Sequence, residues 1–276
     1  MQTVTSKVET VNSKDGTRIA YEKAGAGPAV VLVDGAFCFR ASGVTPKLMP
    51  LLSQHFTVYA YDRRGRGDSG NTEPYAVERE IEDLQAIMNV AGESGYVLAF
   101  SSGAGLALQA VARGLRPKKL TLYEPPYVAT ENDNPAQWRE VAKEIQCLVA
   151  DGRRSEAVST FMTKIFGAPR YFATLMRLVA RDSWSKNESV AHTLPYDIEI
   201  MGDYSVPKDV ATRVAMPTAV MGGEKSPAKL RGAVEATAGA IRGAKVVWLP
   251  KQSHNVKMEV LTPEVVKFFD KLTAAF

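Results

Sequence analysis

The chain has 276 residues, about the upper end of what one hydrophobic core supports before a chain divides. Hydrophobic residues make up 45% and charged residues 23%, and the net charge of +4 is spread along the chain rather than gathered in a basic tract. These values favour one large globular unit, or one unit with an insertion, and they argue against a nucleic-acid partner.

The sequence contains no apolar run near the roughly 18 residues that a membrane span needs, and its first residues lack the apolar core of a signal peptide. We therefore expect a cytoplasmic protein without a membrane partner. The two cysteines, Cys38 and Cys147, have neither a disulfide framework nor a metal-ligand spacing, so we expect free thiols and no metal site.

The first half of the chain alternates between strand and helix patterns. Residues 6–23 predict a strand pair, because Asp15-Gly16 is a strong hairpin signal. The predicted buried strands that follow are 29–35, 56–62, 95–100 and 119–124, and the predicted helices are 46–54, 76–92 and 103–115. This alternation predicts a mostly parallel sheet with helices on both faces.

Residues 125–210 have a different pattern, with few strand signals. Helical periodicity recurs there in residues 136–150, 153–166 and 169–184. The alternation then resumes with strands at 217–223 and 244–250 and helices at 229–241 and 262–276. We predict an α/β core of residues 1–126 and 206–276 that carries a helical cap, or lid, inserted at residues 127–205.

The turn after the third buried strand, Ala99-Phe100-Ser101-Ser102-Gly103, has the pattern of a nucleophile elbow. Ligand sites of open α/β sheets lie beyond the carboxyl ends of the strands, which is where this turn falls. An elbow needs small residues two positions before and after the nucleophile, and Ala99 and Gly103 satisfy that need for Ser101. Centring the elbow on Ser102 would place Phe100 at one flank, so Ser101 is favoured.

A serine nucleophile also needs a base. The chain has three histidines, and only His254 follows the last predicted strand, where a loop can reach the carboxyl edge of the sheet. His55 precedes a strand, and His192 lies in the predicted cap. His254 is therefore the candidate base.

Four segments together resemble the α/β-hydrolase superfamily, in its haloperoxidase- and esterase-like serine hydrolase branch. They are "VLVDGAFCFR", "YDRRGRGDSG", "AFSSGAG" and "LPKQSHNV", and the resemblance extends over nearly the whole chain. It implies an α/β-hydrolase fold with a cap, a Ser-His-acid triad in that chain order, and no cofactor.

The sequence departs from the family pattern at three positions. Asp34 and Phe100 stand where the family usually or often has His, and neither position belongs to the triad. Ser226, in "GGEKSP", stands where the family commonly has the aspartate of the triad. A serine cannot supply the fixed negative charge that stabilises an imidazolium.

Two other carboxylates could replace that aspartate. Glu124 ends the strand predicted to lie beside the nucleophile strand, and some relatives place their acid there. Glu224 is nearer to the usual position in sequence, but its two-residue offset could point it elsewhere. We favour Glu124, with Glu224 as the alternative acid and the absence of a working acid as a third possibility.

The resemblance also implies an oxyanion hole of two backbone N–H groups. We assign them to Ser102 and Ala36, with Phe37 as second choice for the latter, and expect the hydroxyl of Ser102 to be replaceable. Phe37 and Phe100 are candidate pocket residues.

These observations predict a cofactor-independent serine hydrolase that cleaves an ester, lactone or related acyl bond of a small molecule. The alternatives are a cofactor-free lyase, acyltransferase or perhydrolase on the same scaffold, and a ligand-binding protein without catalysis. We expect a small-molecule substrate and a monomer or homodimer.

Overall fold

The computed structural model describes residues 7–92, 94–129 and 134–270, apart from the side chain of Pro135. The first residue of the predicted strand pair, residues 130–133 of the predicted cap and the last six residues of the predicted terminal helix lie outside these ranges. Within them, no helix is long and apolar enough to cross a membrane. The same residues contain no group of three or more His, Cys, Asp or Glu side chains that could hold a metal ion.

Eight strands form one sheet in the order β1-β2-β4-β3-β5-β6-β7-β8. β1 and β2 are antiparallel to their neighbours, and the six strands β3 to β8 run parallel to each other. The strands are β1 (Glu9–Asn12), β2 (Arg18–Ala24), β3 (Ala29–Val33), β4 (Thr57–Tyr61), β5 (Tyr96–Phe100), β6 (Leu120–Tyr123), β7 (Thr218–Gly223) and β8 (Lys245–Leu249). The predicted mostly parallel sheet is confirmed.

Five helices cover the two faces of the sheet, and each face has its own apolar core. Leu48 and Leu261 pack with Leu32 on one face, and Leu84 and Leu106 pack on the other. The helices are α1 (Thr45–Leu52), α2 (Val77–Val90), α3 (Ser102–Ala112), α10 (Ala228–Ala240) and α11 (Met258–Asp270). The predicted start of the last helix, at residue 262, is wrong because Pro263 lies within the helix and not at its start.

The described chain between β6 and β7 contains helices and connecting loops but no strand. It forms α4 (Pro135–Ala150), α5 (Arg154–Thr160), α6 (Arg170–Val179), α7 (Arg181–Ser189), α8 (Leu194–Met201) and α9 (Lys208–Ala211), with a π-helical turn at Phe161–Ile165 and a 3₁₀ turn at Ala191–Thr193. The single helix predicted over 169–184 is interrupted at Ala180, whose φ of −135° is not helical. Helix α8 was not predicted, and it reaches the candidate site.

The register brings four strand ends to one edge of the sheet. Phe100 of β5 pairs with Tyr123 of β6, and Tyr123 pairs with Met221 of β7. Gly223, at the end of β7, pairs with Leu249 at the end of β8. Because neighbouring strands lie about 4.8 Å apart, the residues that follow them form one cluster.

Candidate active site

Ser101 occupies a strained turn between β5 and α3. Its φ of 51° and ψ of −126° lie in a region that residues with a side chain rarely adopt. Its N–H donates to the carbonyl of Tyr123 at 2.9 Å, which ties the turn to the neighbouring strand. A strained serine between a strand and a helix is the geometry of a nucleophile elbow.

Two glycines allow the chain to pack closely around this turn. A Cβ on Gly103 would lie 2.5 Å from the carbonyl oxygen of Val33 and 2.6 Å from that of Asp34. A Cβ on Gly35 would lie 2.9 Å from the Cβ of Ser101. These contacts explain why glycine is needed two residues after Ser101, and they place the loop after β3 directly against the serine.

His254 and Glu124 form a hydrogen-bonded pair at the same edge. The Nδ1 of His254 lies 2.8 Å from the Oε2 of Glu124, so Nδ1–H donates to the carboxylate and Nε2 is left for proton transfer. Glu124 is fully buried, has a φ of 45° and directly follows β6. The strand-end carboxylate favoured from the sequence is therefore the one beside the histidine.

The second oxygen of Glu124 also has partners. Oε1 accepts from the N–H of Gly223 at 2.7 Å and from the hydroxyl of Ser226 at 2.5 Å. Ser226 stands where the family commonly has its acid, and it donates to the buried carboxylate that lies beside His254. The sequence gives no indication of this supporting role, because it depends on the contact between two strand ends 102 residues apart.

The loop that carries His254 is fixed from two sides. Tyr123 donates its hydroxyl to the carbonyl of Ser253 at 2.6 Å, and the N–H of Lys225 donates to the carbonyl of Gln252 at 2.7 Å. A Cβ on Gly223 would lie only 2.5 Å from that same carbonyl. The ends of β6 and β7 therefore position the histidine.

Glu224, the alternative acid, has an exposed side chain. Its Oε2 accepts from the N–H of Lys251 at 3.2 Å. This contact holds the start of the histidine loop and does not involve the imidazole ring.

The two residues whose N–H groups we assign to an oxyanion hole belong to segments next to Ser101. Ser102 is the first residue of α3, where N–H groups have no partner within the helix. Ala36 follows Gly35, which lies against Ser101. Phe37, the second choice, has a φ of 64° and is almost fully buried.

The hydroxyl of Ser102, which we expect from the sequence to be replaceable, has a buried hydrogen-bond partner. It donates at 2.8 Å to the Oδ1 of Asp197, a buried carboxylate on α8. Arg63 donates to the same oxygen at 2.7 Å, and Arg66 donates to Oδ2 at 2.6 Å. Burial favours the neutral acid, but the charges of both arginines and these hydrogen bonds hold the pKa of Asp197 below its ordinary value.

The two candidate pocket residues lie in different surroundings. Phe37 meets Phe161 of the π-helical turn edge to face, with ring centroids 5.3 Å apart. Phe100 packs into the core of the opposite face of the sheet, 5.9 Å from the ring of Tyr123. Burial raises the pKa of Cys38, which follows Phe37, to about 12, so its thiol is protonated at neutral pH.

The chain is similar in sequence and structure to known hydrolases. The alpha/beta hydrolase family matches residues 25–266. An alpha/beta hydrolase from Sphaerobacter thermophilus is 45% identical, with a TM-score of 0.87 over 95% of this chain and 100% of that one. Two further structures share the fold. The enol-lactonase from Burkholderia xenovorans is 21% identical, with a TM-score of 0.70 over 95% of this chain and 100% of that one. A thermophilic esterase from Thermogutta terrifontis is 20% identical, with a TM-score of 0.71 over 96% of this chain and 98% of that one. The chain belongs to the alpha/beta hydrolase family.

Proposed function

We propose that the protein is a serine hydrolase that cleaves an ester, lactone or related acyl bond of a small molecule without a cofactor. The observation that carries the proposal is the His254–Glu124 pair at the edge of the sheet where Ser101 is held in a strained turn. An esterase and an enol-lactonase among the structures that share the fold are consistent with acyl chemistry.

In the proposed reaction, the Oγ of Ser101 attacks the substrate carbonyl and His254 takes its proton at Nε2. The N–H groups of Ser102 and Ala36 hold the oxygen that becomes negative. His254 returns the proton to the leaving oxygen as the acyl bond breaks. Water then attacks the acyl-enzyme, again through His254, and releases the acid.

Glu124 orients the imidazole and stabilises the imidazolium that forms at each proton transfer. Its two hydrogen bonds from Gly223 and Ser226 hold the carboxylate in place while leaving its charge for His254. This role requires only that the carboxylate stay ionised next to Nδ1.

We further propose that residues 127–205 act as a cap over the site. Three contacts support this role: Phe161 meets Phe37, Phe166 lies with its ring 6.2 Å from that of His254, and Asp197 accepts from Ser102. Substrate selection would then depend on the side chains of this segment.

Labelling with a fluorophosphonate tests the proposed nucleophile. We expect the native protein to take up one equivalent, with the adduct on the peptide that contains Ser101, and Ser101→Ala to take up none. Heat-denatured native protein is the control for non-specific reaction. Absence of labelling in folded native protein would contradict the proposal and favour ligand binding without catalysis.

Product analysis tests the hydrolytic outcome. Native protein in H₂¹⁸O should release an acid that carries the heavy isotope when it turns over p-nitrophenyl acetate. Transfer of the acetyl group to an added alcohol in preference to water would contradict hydrolysis as the main reaction.

A further inference from the structure

One of the two backbone groups assigned to the oxyanion hole, the peptide between Gly35 and Ala36, is hydrogen-bonded to the buried guanidinium of Arg66. Nη1 of Arg66 donates to the carbonyl of Gly35 at 2.7 Å and to that of Cys38 at 3.2 Å. The carbonyl of Gly35 and the N–H of Ala36 belong to one planar peptide group and point in opposite directions. Whatever fixes the carbonyl therefore fixes the N–H.

This peptide needs such a restraint. Position 35 must be glycine because of its contact with Ser101, and glycine leaves the adjoining backbone torsions with the fewest steric limits. Turning the peptide would remove the nearer of the two acceptors of Nη1 from a guanidinium that is only 1% exposed. An unpaired buried donor of this kind is costly, so the arginine opposes the rotation.

Arg66 is itself held at its other nitrogens. Nη2 donates to the Oδ2 of Asp197 at 2.6 Å, and Nε donates to the hydroxyl of Thr193 at 3.0 Å. Asp197 also accepts from Ser102 at 2.8 Å, the residue of the second oxyanion N–H. One ion pair thus contacts both segments that are assigned to the oxyanion hole.

From these contacts we infer that Arg66, anchored by Asp197, is a positioning residue that orients the N–H of Ala36 toward the oxygen of the tetrahedral intermediate. The inference rests on the proposed function. The guanidinium also polarises the peptide whose carbonyl it binds, which strengthens the N–H as a donor.

Arg66→Lys tests this role, because lysine keeps the charge but loses the planar fork. We expect kcat/KM for p-nitrophenyl acetate to fall about 100-fold, as for the loss of one oxyanion donor. Binding of phenylboronic acid, which forms a tetrahedral adduct with a serine, should weaken by a similar factor. Inhibition by the product acetate should stay within threefold, since the ground state does not use this donor.

Arg64→Lys is the matched control. Arg64 is fully buried in the same loop and donates to Asp83 and Asp15, away from Gly35. We expect it to lower the melting temperature without changing kcat/KM by more than threefold.

Three outcomes would count against the inference. If the native protein neither reacts with a phosphonate nor hydrolyses the ester, the proposed function fails and the inference fails with it. If the native protein reacts but Arg66→Lys matches Arg64→Lys in kcat/KM, only the positioning role is overturned. Should Arg66→Lys not fold, Thr193→Val removes the acceptor of Nε alone, and we expect it to weaken boronate binding at least about threefold; unchanged binding would overturn the role.

Aromatic contacts carry a second inference independently. Phe161 meets Phe166 edge to face at 5.2 Å, and the ring of Phe166 lies 6.2 Å from that of His254. With the contact between Phe37 and Phe161, these rings form a continuous row from the loop after β3 to the histidine. Phe166 remains 47% exposed beside a histidine whose side chain is 35% exposed.

An exposed ring next to the reacting atoms offers a substrate apolar surface and edge-to-face contact. Phe161 begins a π-helical turn, a distortion that is frequent at functional sites. We propose that Phe166, backed by the buried ring of Phe161, forms a subsite for an aromatic group of the substrate. This proposal also rests on the proposed function.

The ratio of inhibition constants for methylboronic and phenylboronic acid tests the subsite. We expect native protein to bind the phenyl compound at least tenfold more tightly, and Phe166→Ala to reduce that preference about threefold to tenfold. Tyr171→Ala is the control, because Tyr171 is 71% exposed on α6. An unchanged preference in Phe166→Ala would overturn the subsite, whereas no inhibition by either compound would overturn the proposed function as well.

Discussion

Two buried carboxylates contact the segments around Ser101, and their partners differ. Glu124 accepts from two neutral donors, Gly223 and Ser226, and from His254, whose charge can change. Asp197 accepts from two arginines that are always charged, and from Ser102. The first arrangement can respond to a proton that moves during a reaction, while the second is fixed. The partners of Glu124 therefore suit it to proton transfer, and those of Asp197 suit it to holding the structure.

The largest expected effect is on kcat, and it tests Glu124, the carboxylate that contacts His254. Glu124→Gln should lower kcat for p-nitrophenyl acetate about 10³- to 10⁴-fold, because the amide cannot stabilise an imidazolium and favours the wrong tautomer. Glu224→Gln is the matched control and should change kcat less than twofold, since that side chain holds Lys251 instead. Steady-state kinetics of the two variants measure the difference, and the reverse ranking would exclude Glu124 as the acid.

Replacing Asp197, the carboxylate that accepts from two arginines, should mainly lower the stability of the fold. Asp197→Ala removes the carboxylate that pairs with buried Arg66 and one of the two that pair with Arg63, which keeps Glu80. We expect the free energy of unfolding to fall by about 3–5 kcal/mol. Urea denaturation measures this loss. Glu235→Ala, at an exposed position in the middle of α10, should change it by no more than about 0.5 kcal/mol. Equal losses in both variants would show that Asp197 does not hold the arginines in place.

A third buried carboxylate, Asp34, has fewer hydrogen-bond donors than Glu124 or Asp197. We therefore expect it to lose its proton between pH 4 and pH 7. Its Oδ2 accepts from Thr45 at 2.9 Å, whereas Oδ1 has no partner among the described residues. Burial raises the pKa of Asp34 to about 6, although Thr45 and the nearby arginines oppose the shift.

The folded protein then binds the proton of Asp34 more tightly than the unfolded chain does. Stability from this group is present below about pH 4 and is lost as the pH rises through about 6. Relative to Asp34→Asn, native protein should lose about 2–3 kcal/mol of unfolding free energy between pH 4 and pH 7. Urea denaturation across that range measures the slope, and parallel curves for the two proteins would contradict the shift.

The smallest expected effect concerns the neutral support of Glu124. Ser226→Ala removes one donor from Oε1 but leaves Gly223, so kcat should fall about threefold to tenfold. Ser253→Ala keeps the carbonyl that Tyr123 binds and should stay within twofold of native protein. A loss in Ser226→Ala as large as in Glu124→Gln would mean that the hydroxyl has a more direct role than support.

The sequence was informative where position along a strand determines position in space. Apolar runs located the strands, and strand ends of a parallel sheet meet at one edge, so Ser101, Glu124 and the loop of His254 could be brought together without coordinates. The role of Ser226 could not be predicted in this way, because a serine in place of an acid suggests the loss of the triad acid. Only the contact with Glu124 shows that the serine hydroxyl donates a hydrogen bond to a carboxylate.

Asp197 was missed for a different reason. Helix α8 is short and follows a 3₁₀ turn, so its sequence lacks the sustained periodicity that predicts a helix. Its partner Arg66 lies 131 residues earlier, and ionic contacts at that separation have no signature in a single sequence. The link between the arginine-rich loop and the loop after β3 emerges only from the hydrogen bonds of one guanidinium, that of Arg66.

The ion pair between Arg66 and Asp197 also constrains how this enzyme could be redesigned. Exchanging residues 127–205 for the segment of a relative is an obvious way to change substrate preference. A graft without an acid at position 197 would leave Arg66 without its carboxylate partner and Arg63 with Glu80 alone, and such a chimaera would lose turnover for reasons unrelated to its new pocket. Donor segments should therefore be chosen first for that carboxylate and only then for the shape of the pocket they bring.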